Sequence, residues 1–219
     1  MRHLFQAVLR ELYLTEMINM DLLNLKKRIQ SLAIFRGLLT DRVIFSLLYY
    51  LENPKVHSYS EFVSCLYESG ASSIGEYIKD ICENNENIYV KLVGSEKPVP
   101  SYMKKCIGEE LKTLQMCANL TSKSLKALLE PYDFLPDFDT SEVDIIGSYT
   151  HRVKNISKYG YGIYAKNRMF FIDEDNSIVP VTNPDKTTFA QLVDYEAERQ
   201  VIIDNTKALL LGKPAANIL

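Results

Sequence analysis

Residues Thr15–Phe35, TEMINMDLLNLKKRIQSLAIF, decide the fold class. Met17, Ile18, Leu22, Leu25, Ile29 and Leu32 recur mostly at gaps of three or four, which puts them on one face of a helix. Arg36-Gly37 reads as a stop. Asp41 to Leu51 repeats the pattern with Val43, Ile44, Leu47, Leu48 and Leu51, and Asn53-Pro54 ends it, because proline disfavours a helical residue before it.

Working outward, Ser58-x-x-Glu61 and Ser73-x-x-Glu76 are capping-box patterns that predict two further helices. The first carries Phe62, Val63, Leu66 and Tyr67 and stops near Gly70. The second carries Tyr77, Ile78 and Ile81 and frays into Glu83–Asn87. Ile88–Val93 fits either a strand or a turn of helix. Ser95–Pro100 reads as a loop and Tyr102–Leu120 as a helix, and Thr121 or Ser122 caps a last helix ending near Glu130-Pro131. Helices joined by short loops predict a bundle over residues 1–131.

The pattern then changes. Tyr132–Glu142, directly after Pro131, holds a second proline, Pro136, and four acids and reads as a linker. Beyond it, Gly160–Ala165, Arg168–Ile172 and Ser177–Val181 are rich in aromatic and β-branched residues and predict strands. Lys166-Asn167 and Asp173–Asn176 supply turns, and Thr150–Ile156 is a candidate further strand. The expectation over residues 132–186 is therefore a linker and a small antiparallel β-meander. After Asn183-Pro184-Asp185, Thr188-x-x-Gln191 can cap a short turn. Tyr195–Leu211 reads as a helix with Ile202, Ile203, Leu209 and Leu210 as buried candidates, stopped by Gly212 and Pro214. Ala216–Leu219 reads as the start of an apolar strand, which leads us to expect an unfinished element there. The fold class expected is α+β.

Composition restricts the function classes. The 219 residues are 47% hydrophobic, enough for a core, and carry a net charge of −3, which argues against nucleic acid as the main partner. Cys65, Cys82, Cys106 and Cys117 match neither a zinc spacing nor a C-x-x-C motif and read as buried, reduced thiols. No secretory signal is legible at the start, and no segment offers ~20 uncharged apolar residues, so we expect no membrane span and a cytoplasmic location.

Chemistry-bearing motifs are few. Asp137-x-Asp139 and Asp173-x-Asp175 open like calcium loops but lack the later glycine and glutamate, so no metal site is expected. His3, His57 and His151 are isolated, and no nucleophile elbow is present, so no catalytic residues are assigned. Gly212-Lys213 is followed by Pro214, which has neither N–H nor hydroxyl, so it is not a phosphate-binding loop. Tyr149, Tyr159, Tyr161 and Tyr164 crowd beside His151, Arg152, Lys154 and Lys158, and are candidates for core packing, a protein interface or base stacking.

The last segment carries a resemblance. Leu192-Val193-Asp194-Tyr195-Glu196, then Asn205-Thr206, then Gly212-Lys213-Pro214-Ala215-Ala216-Asn217-Ile218-Leu219 resembles the approach to the nucleotide site in bacterial AAA+ ATPases of the domain of unknown function 815 family. Members read Leu-Val-Gly-Tyr-Glu, a helix with Asn-Thr, and Gly-Lys-Pro-Ala-Asn-Asn-Val-Leu, followed by a Walker A loop. The match covers about 30 residues with its spacing kept. Asp194 replaces a glycine and Leu209 a frequent phenylalanine. The resemblance implies that residues 187–219 hold the helix and first strand leading into an AAA+ core, with Val193 and Tyr195 on the adenine side. It implies ATP and magnesium for the full-length parent, no cofactor for this chain alone, and an accessory role in docking a partner or shaping an oligomer. An autonomous protein-interaction module, or an enzyme with a dispersed site, are the alternatives. A protein partner or self-association is expected in the first two cases.

Overall fold

Apolar periodicity becomes helix in the elements between residue 21 and Lys126. The computed structural model describes residues 21–188, 191 and 194–216, which fall in two compact units, Met1–Lys166 and Asn167–Leu219. Met17, Ile18, Val193 and residues 217–219 of the expected C-terminal strand lie outside the described residues, and Ala216 is in no strand. The described protein is mainly helical, with one small antiparallel sheet, and is α+β.

In the first unit, α1 is helical over residues 21–30 and buries Leu22, Leu25 and Ile29. A 3-10 turn at Arg36–Thr40 reverses the chain. The Asp41 carboxylate then accepts the N–H groups of Val43 and Ile44, both at 3.0 Å, and so starts α2, Arg42–Glu52. Such a cap satisfies donors that the first turn cannot pair internally. Helix α3, Val56–Glu68, begins two residues before the expected cap, and Ser58 lies inside its first turn, accepting the Lys55 N–H at 3.2 Å. The extended residues around Pro54 fix that boundary. Gly70 ends the helix region with φ +78, a left-handed conformation that glycine adopts without steric cost. Helix α4, Ile74–Glu83, starts as its capping pattern predicts, with Ser73 Oγ accepting the Glu76 N–H at 3.1 Å.

The undecided stretch at Ile88 is helical. The Asn87 side chain accepts the Val90 N–H at 3.1 Å and initiates α5, Ile88–Gly94. Helix α6, Ser101–Ala118, buries Ile107, Leu111, Leu114 and Cys117, and α7, Ser122–Lys126, is capped by Thr121. Tyr50, Tyr59, Phe35 and Phe62 are fully buried in the shared core. The two tyrosine hydroxyls are satisfied there: Tyr50 donates to the Leu125 carbonyl at 2.7 Å and Tyr59 to that of Pro136 at 2.9 Å.

Three sequence expectations are corrected in this unit. The segment Tyr132–Glu142, expected as a linker, is a strap packed on the bundle. Leu135 and Phe138 are buried, and the Phe138 ring meets Phe62 edge-on at 6.0 Å. Two apolar anchors outweigh the prolines and acids around them. Thr150–Ile156, a candidate strand, belongs mostly to helix α8, Ile145–Lys154. Ile145, Tyr149 and Val153 recur every four residues, and Asp144 Oδ1 accepts the Gly147 N–H at 2.7 Å. Gly160–Ala165, expected as a strand, forms instead the link after one short helical turn, α9 (Ile156–Tyr159), and most of a second, α10 (Ile163–Lys166). Gly160 and Gly162 have φ +67 and +55, which break an extended run.

In the second unit, β1 (Phe170–Ile172) pairs antiparallel with β2 (Ile178–Pro180), with Phe171 opposite Val179. The expected three-stranded meander is thus a two-stranded hairpin. Its turn is held by Asp173 Oδ1, which accepts the N–H groups of Asp175 and Ser177 at 3.0 and 2.8 Å. Helix α11, Glu196–Leu210, follows. Its expected buried face is also corrected: Ile202 and Ile203 are half-buried, while Leu209 and Leu210 are exposed. Among the described residues, no helix is long and apolar enough to cross a membrane.

Candidate functional site

Each expected site residue has a specific place. Tyr149 is a core residue, 3% exposed, with its ring edge-on to Phe35 at 5.4 Å and its hydroxyl accepting from Asn87 Nδ2 at 3.4 Å. Burial pushes its pKa well up, so the hydroxyl stays neutral. It therefore leaves the set of candidate interface residues. The Tyr159 ring is half-buried beneath cations: the Arg152 guanidinium lies 5.1 Å and the Lys158 ammonium 5.3 Å from its centre, and His151 Nε2 is 3.2 Å from its hydroxyl.

Tyr161 and Tyr164 do come together. Their rings meet edge-on at 6.4 Å and line an open groove of about 680 Å³. The groove is built from α5, the start of α6, and α8 to α10. Val93, Val99, Val153 and Ile156 give it an aliphatic floor, and Lys104 and Lys154 stand on its rim. Gly94 fixes one wall: a Cβ there would sit 2.7 Å from the Tyr161 ring, so the ring packs directly against backbone. This is a preformed concavity of the size that binding sites have. The sequence offered no signal for Tyr89, Val93, Val99 or Lys104 as lining residues. They come from an element whose type was ambiguous, from the loop after it and from the first turn of a long helix.

The remaining candidates lie in the second unit. Tyr195 is the N-cap residue of α11, 58% exposed, and its carbonyl accepts the Arg199 N–H at 2.9 Å. Val193 lies outside the described residues. Asp194 has φ +67, the left-handed region that favours glycine. At the other end of α11, Asn205 and Ala216 bind one another twice: Asn205 Nδ2 donates to the Ala216 carbonyl at 2.7 Å, and the Ala216 N–H donates to Asn205 Oδ1 at 2.8 Å. The side-chain amide thus acts as a backbone partner and folds the segment after Gly212 back along the helix. Gly212 makes the turn, with φ +64.

Comparison with family models, with curated proteins and with solved structures finds no match.

Of the two acidic pairs that open like calcium loops, Asp137 and Asp173 are occupied with structure. The Asp137 carboxylate accepts from Ser122 Oγ at 2.5 Å and Lys126 Nζ at 2.8 Å, and these two partners, Lys126 first, hold its pKa below the usual carboxylate range. Among the described residues, no group of three or more His, Cys, Asp and Glu side chains could hold a metal ion. His57 is exposed beside Glu61 at 3.6 Å, and His3 lies outside the described residues.

Proposed function

We propose that this chain is the N-terminal accessory region of an AAA+ ATPase, a docking module that does not hydrolyse ATP by itself. The observation that carries this reading is the two-way hydrogen bond between Asn205 and Ala216. Both residues belong to the segment that resembles the approach to an AAA+ nucleotide site, and their pairing gives that spacing a physical purpose. An asparagine eleven residues ahead holds the chain as it leaves the helix. The backbone at Asp194 supports the same reading, because its positive φ falls where the family pattern carries glycine. Aspartate tolerates that conformation better than most residues. Its charge argues for a weakened adenine contact at Val193 and Tyr195. These 219 residues contain no G-x-x-x-x-G-K-[ST] sequence, so they supply neither a phosphate cradle nor a magnesium-binding hydroxyl.

A second reading is an autonomous protein-interaction module. The observation that favours it is the first unit, whose helices close a core of their own and leave a preformed groove. The coding sequence beyond Leu219 separates the two. A glycine-rich loop ending in Gly-Lys-Ser or Gly-Lys-Thr is the result expected of the ATPase reading, and its absence would overturn it. Calorimetric titration of this chain with ATP and magnesium is expected to show no micromolar isotherm.

A further inference from the structure

We propose that the groove between α5 and α8–α10 binds a short acidic segment of a partner protein, seating an aliphatic side chain on its floor and carboxylates on Lys104 and Lys154. The proposal rests on the first unit alone and is independent of how the C-terminal segment is read.

Charge selects the occupant. Lys104 and Lys154 are exposed on the groove rim, and neither makes an ion pair among the described residues. Some other lysines of this unit are paired, such as Lys91 with Glu86 at 2.9 Å, Lys126 with Asp137 at 2.8 Å and Lys166 with Asp80 at 2.7 Å, so Lys104 and Lys154 are distinguished by their place in the groove lining rather than by lacking a partner. The groove lining holds two ammonium groups against one carboxylate, Glu96, in a chain whose net charge is −3. Such a local excess of positive charge attracts an acidic partner and repels a basic one.

The floor selects against nucleic acid. Base binding needs open aromatic faces on which bases stack. Here the Tyr161 ring is packed on Gly94, and it meets Tyr164 at 76° rather than in parallel, so the pair does not form a stacking platform. What the groove offers instead is branched aliphatic surface, which matches a leucine, isoleucine or valine side chain. That surface is held by residues already packed on the core, Val153, Ile156 and Tyr161 among them. Little ordering is therefore needed on binding.

The test uses the full chain and a fluorescein-labelled probe peptide with two leucines and four glutamates spaced by glycine and serine. Fluorescence anisotropy is expected to give saturable binding at roughly 10–100 µM, weakened by salt. Amide shifts on titration should centre on Gly94, Val153, Gly160 and Tyr161. The double variant Lys104→Glu, Lys154→Glu should lose affinity roughly tenfold with an unchanged circular dichroism spectrum. Should that variant misfold, Lys104→Gln, Lys154→Gln gives the same comparison. A probe with lysines in place of glutamates, or with serines in place of leucines, should not bind. The proposal is overturned if no probe saturates below millimolar concentration, if the lysine probe binds equally well, if an oligothymidylate binds more tightly than the peptide, or if the lysine variants keep full affinity.

Discussion

The buried carboxylate of Glu110 accepts the backbone N–H of Phe35 at 2.9 Å, joining the middle of α6 to the chain reversal after α1. The same carboxylate accepts the N–H groups of Ala33 and Ile34 at 2.8 and 3.0 Å. Three donors that no helix or sheet satisfies are thus paired by one side chain that is 6% exposed. Removing it leaves buried N–H groups without partners, the costly direction of the hydrogen-bond balance. Glu110→Ala is expected to destabilise the protein by about 3 kcal/mol, and Glu110→Gln, which keeps one acceptor oxygen, by roughly 1–2 kcal/mol. Urea unfolding followed by circular dichroism measures both. Equal, small losses for the two variants would contradict the capping role.

The strap over residues 132–142 should loosen in acid. Lys126 and Ser122 depress the pKa of Asp137, so the ionised carboxylate favours the folded strap. That contribution is present above the ordinary carboxylate value of about 4 and fades as pH falls below it toward the lowered folded value. Amide exchange or shifts at Leu135 and Phe138, followed from pH 7 to pH 3, should therefore change below about pH 4. Asp137→Asn should lack this step. Its absence in the unaltered protein would show that Leu135 and Phe138 hold the strap without the carboxylate.

Thiol reactivity should follow burial. Cys117 is fully buried and its thiol is pushed up to about 12 by desolvation. Burial raises Cys82 as well, and Cys106, half-buried beside Glu110, is raised by burial and by that carboxylate. With an aromatic disulfide reagent at pH 8, the native protein should label slowly and at Cys106 first, and all four thiols should react in urea. These raised values also bear on alkaline stability. A buried neutral thiol supports the fold below its unfolded pKa of about 8.5, and the support is lost as pH climbs from there toward the folded value. Rapid native labelling of Cys117 would contradict its place in the core.

In the second unit, Asn205→Ala should free the segment after Gly212. Hydrogen exchange at the Ala216 amide is expected to lose its protection, while α11 keeps its helical signal. Asp194→Gly should relieve a left-handed backbone and raise local stability by about 0.5–1 kcal/mol. Unchanged protection at Ala216 in the asparagine variant would remove the clamp from the account.

Much of the helical unit was legible because its signals are local. Asp41, Ser73 and Thr121 cap helices from within four residues, and the buried faces of α2 and α6 follow a period that one stretch of sequence displays by itself. The failures have physical causes of two kinds. Tyr and Ile between 145 and 164 suit strands by propensity, but Asp144 and a four-residue spacing favour helix, and the left-handed glycines 160 and 162 interrupt any extended run. Leu135 and Phe138 lie in a stretch whose average composition is that of a linker, and only their contacts with distant helices make it a strap.

Sequence by itself therefore determined the α+β class, the starts of α2, α4, α6, α7 and α11, and the stops at Gly70 and Gly212. These depend on residues within a few positions of one another, where backbone sterics and capping act. Tertiary structure alone decided that Tyr149 is core while Tyr161 and Tyr164 face a groove, that Lys104 and Lys154 share its rim, and that Glu110 serves residues more than seventy positions away. Those facts arise from packing between elements far apart in the chain, where burial and partner choice depend on neighbours that no local pattern names.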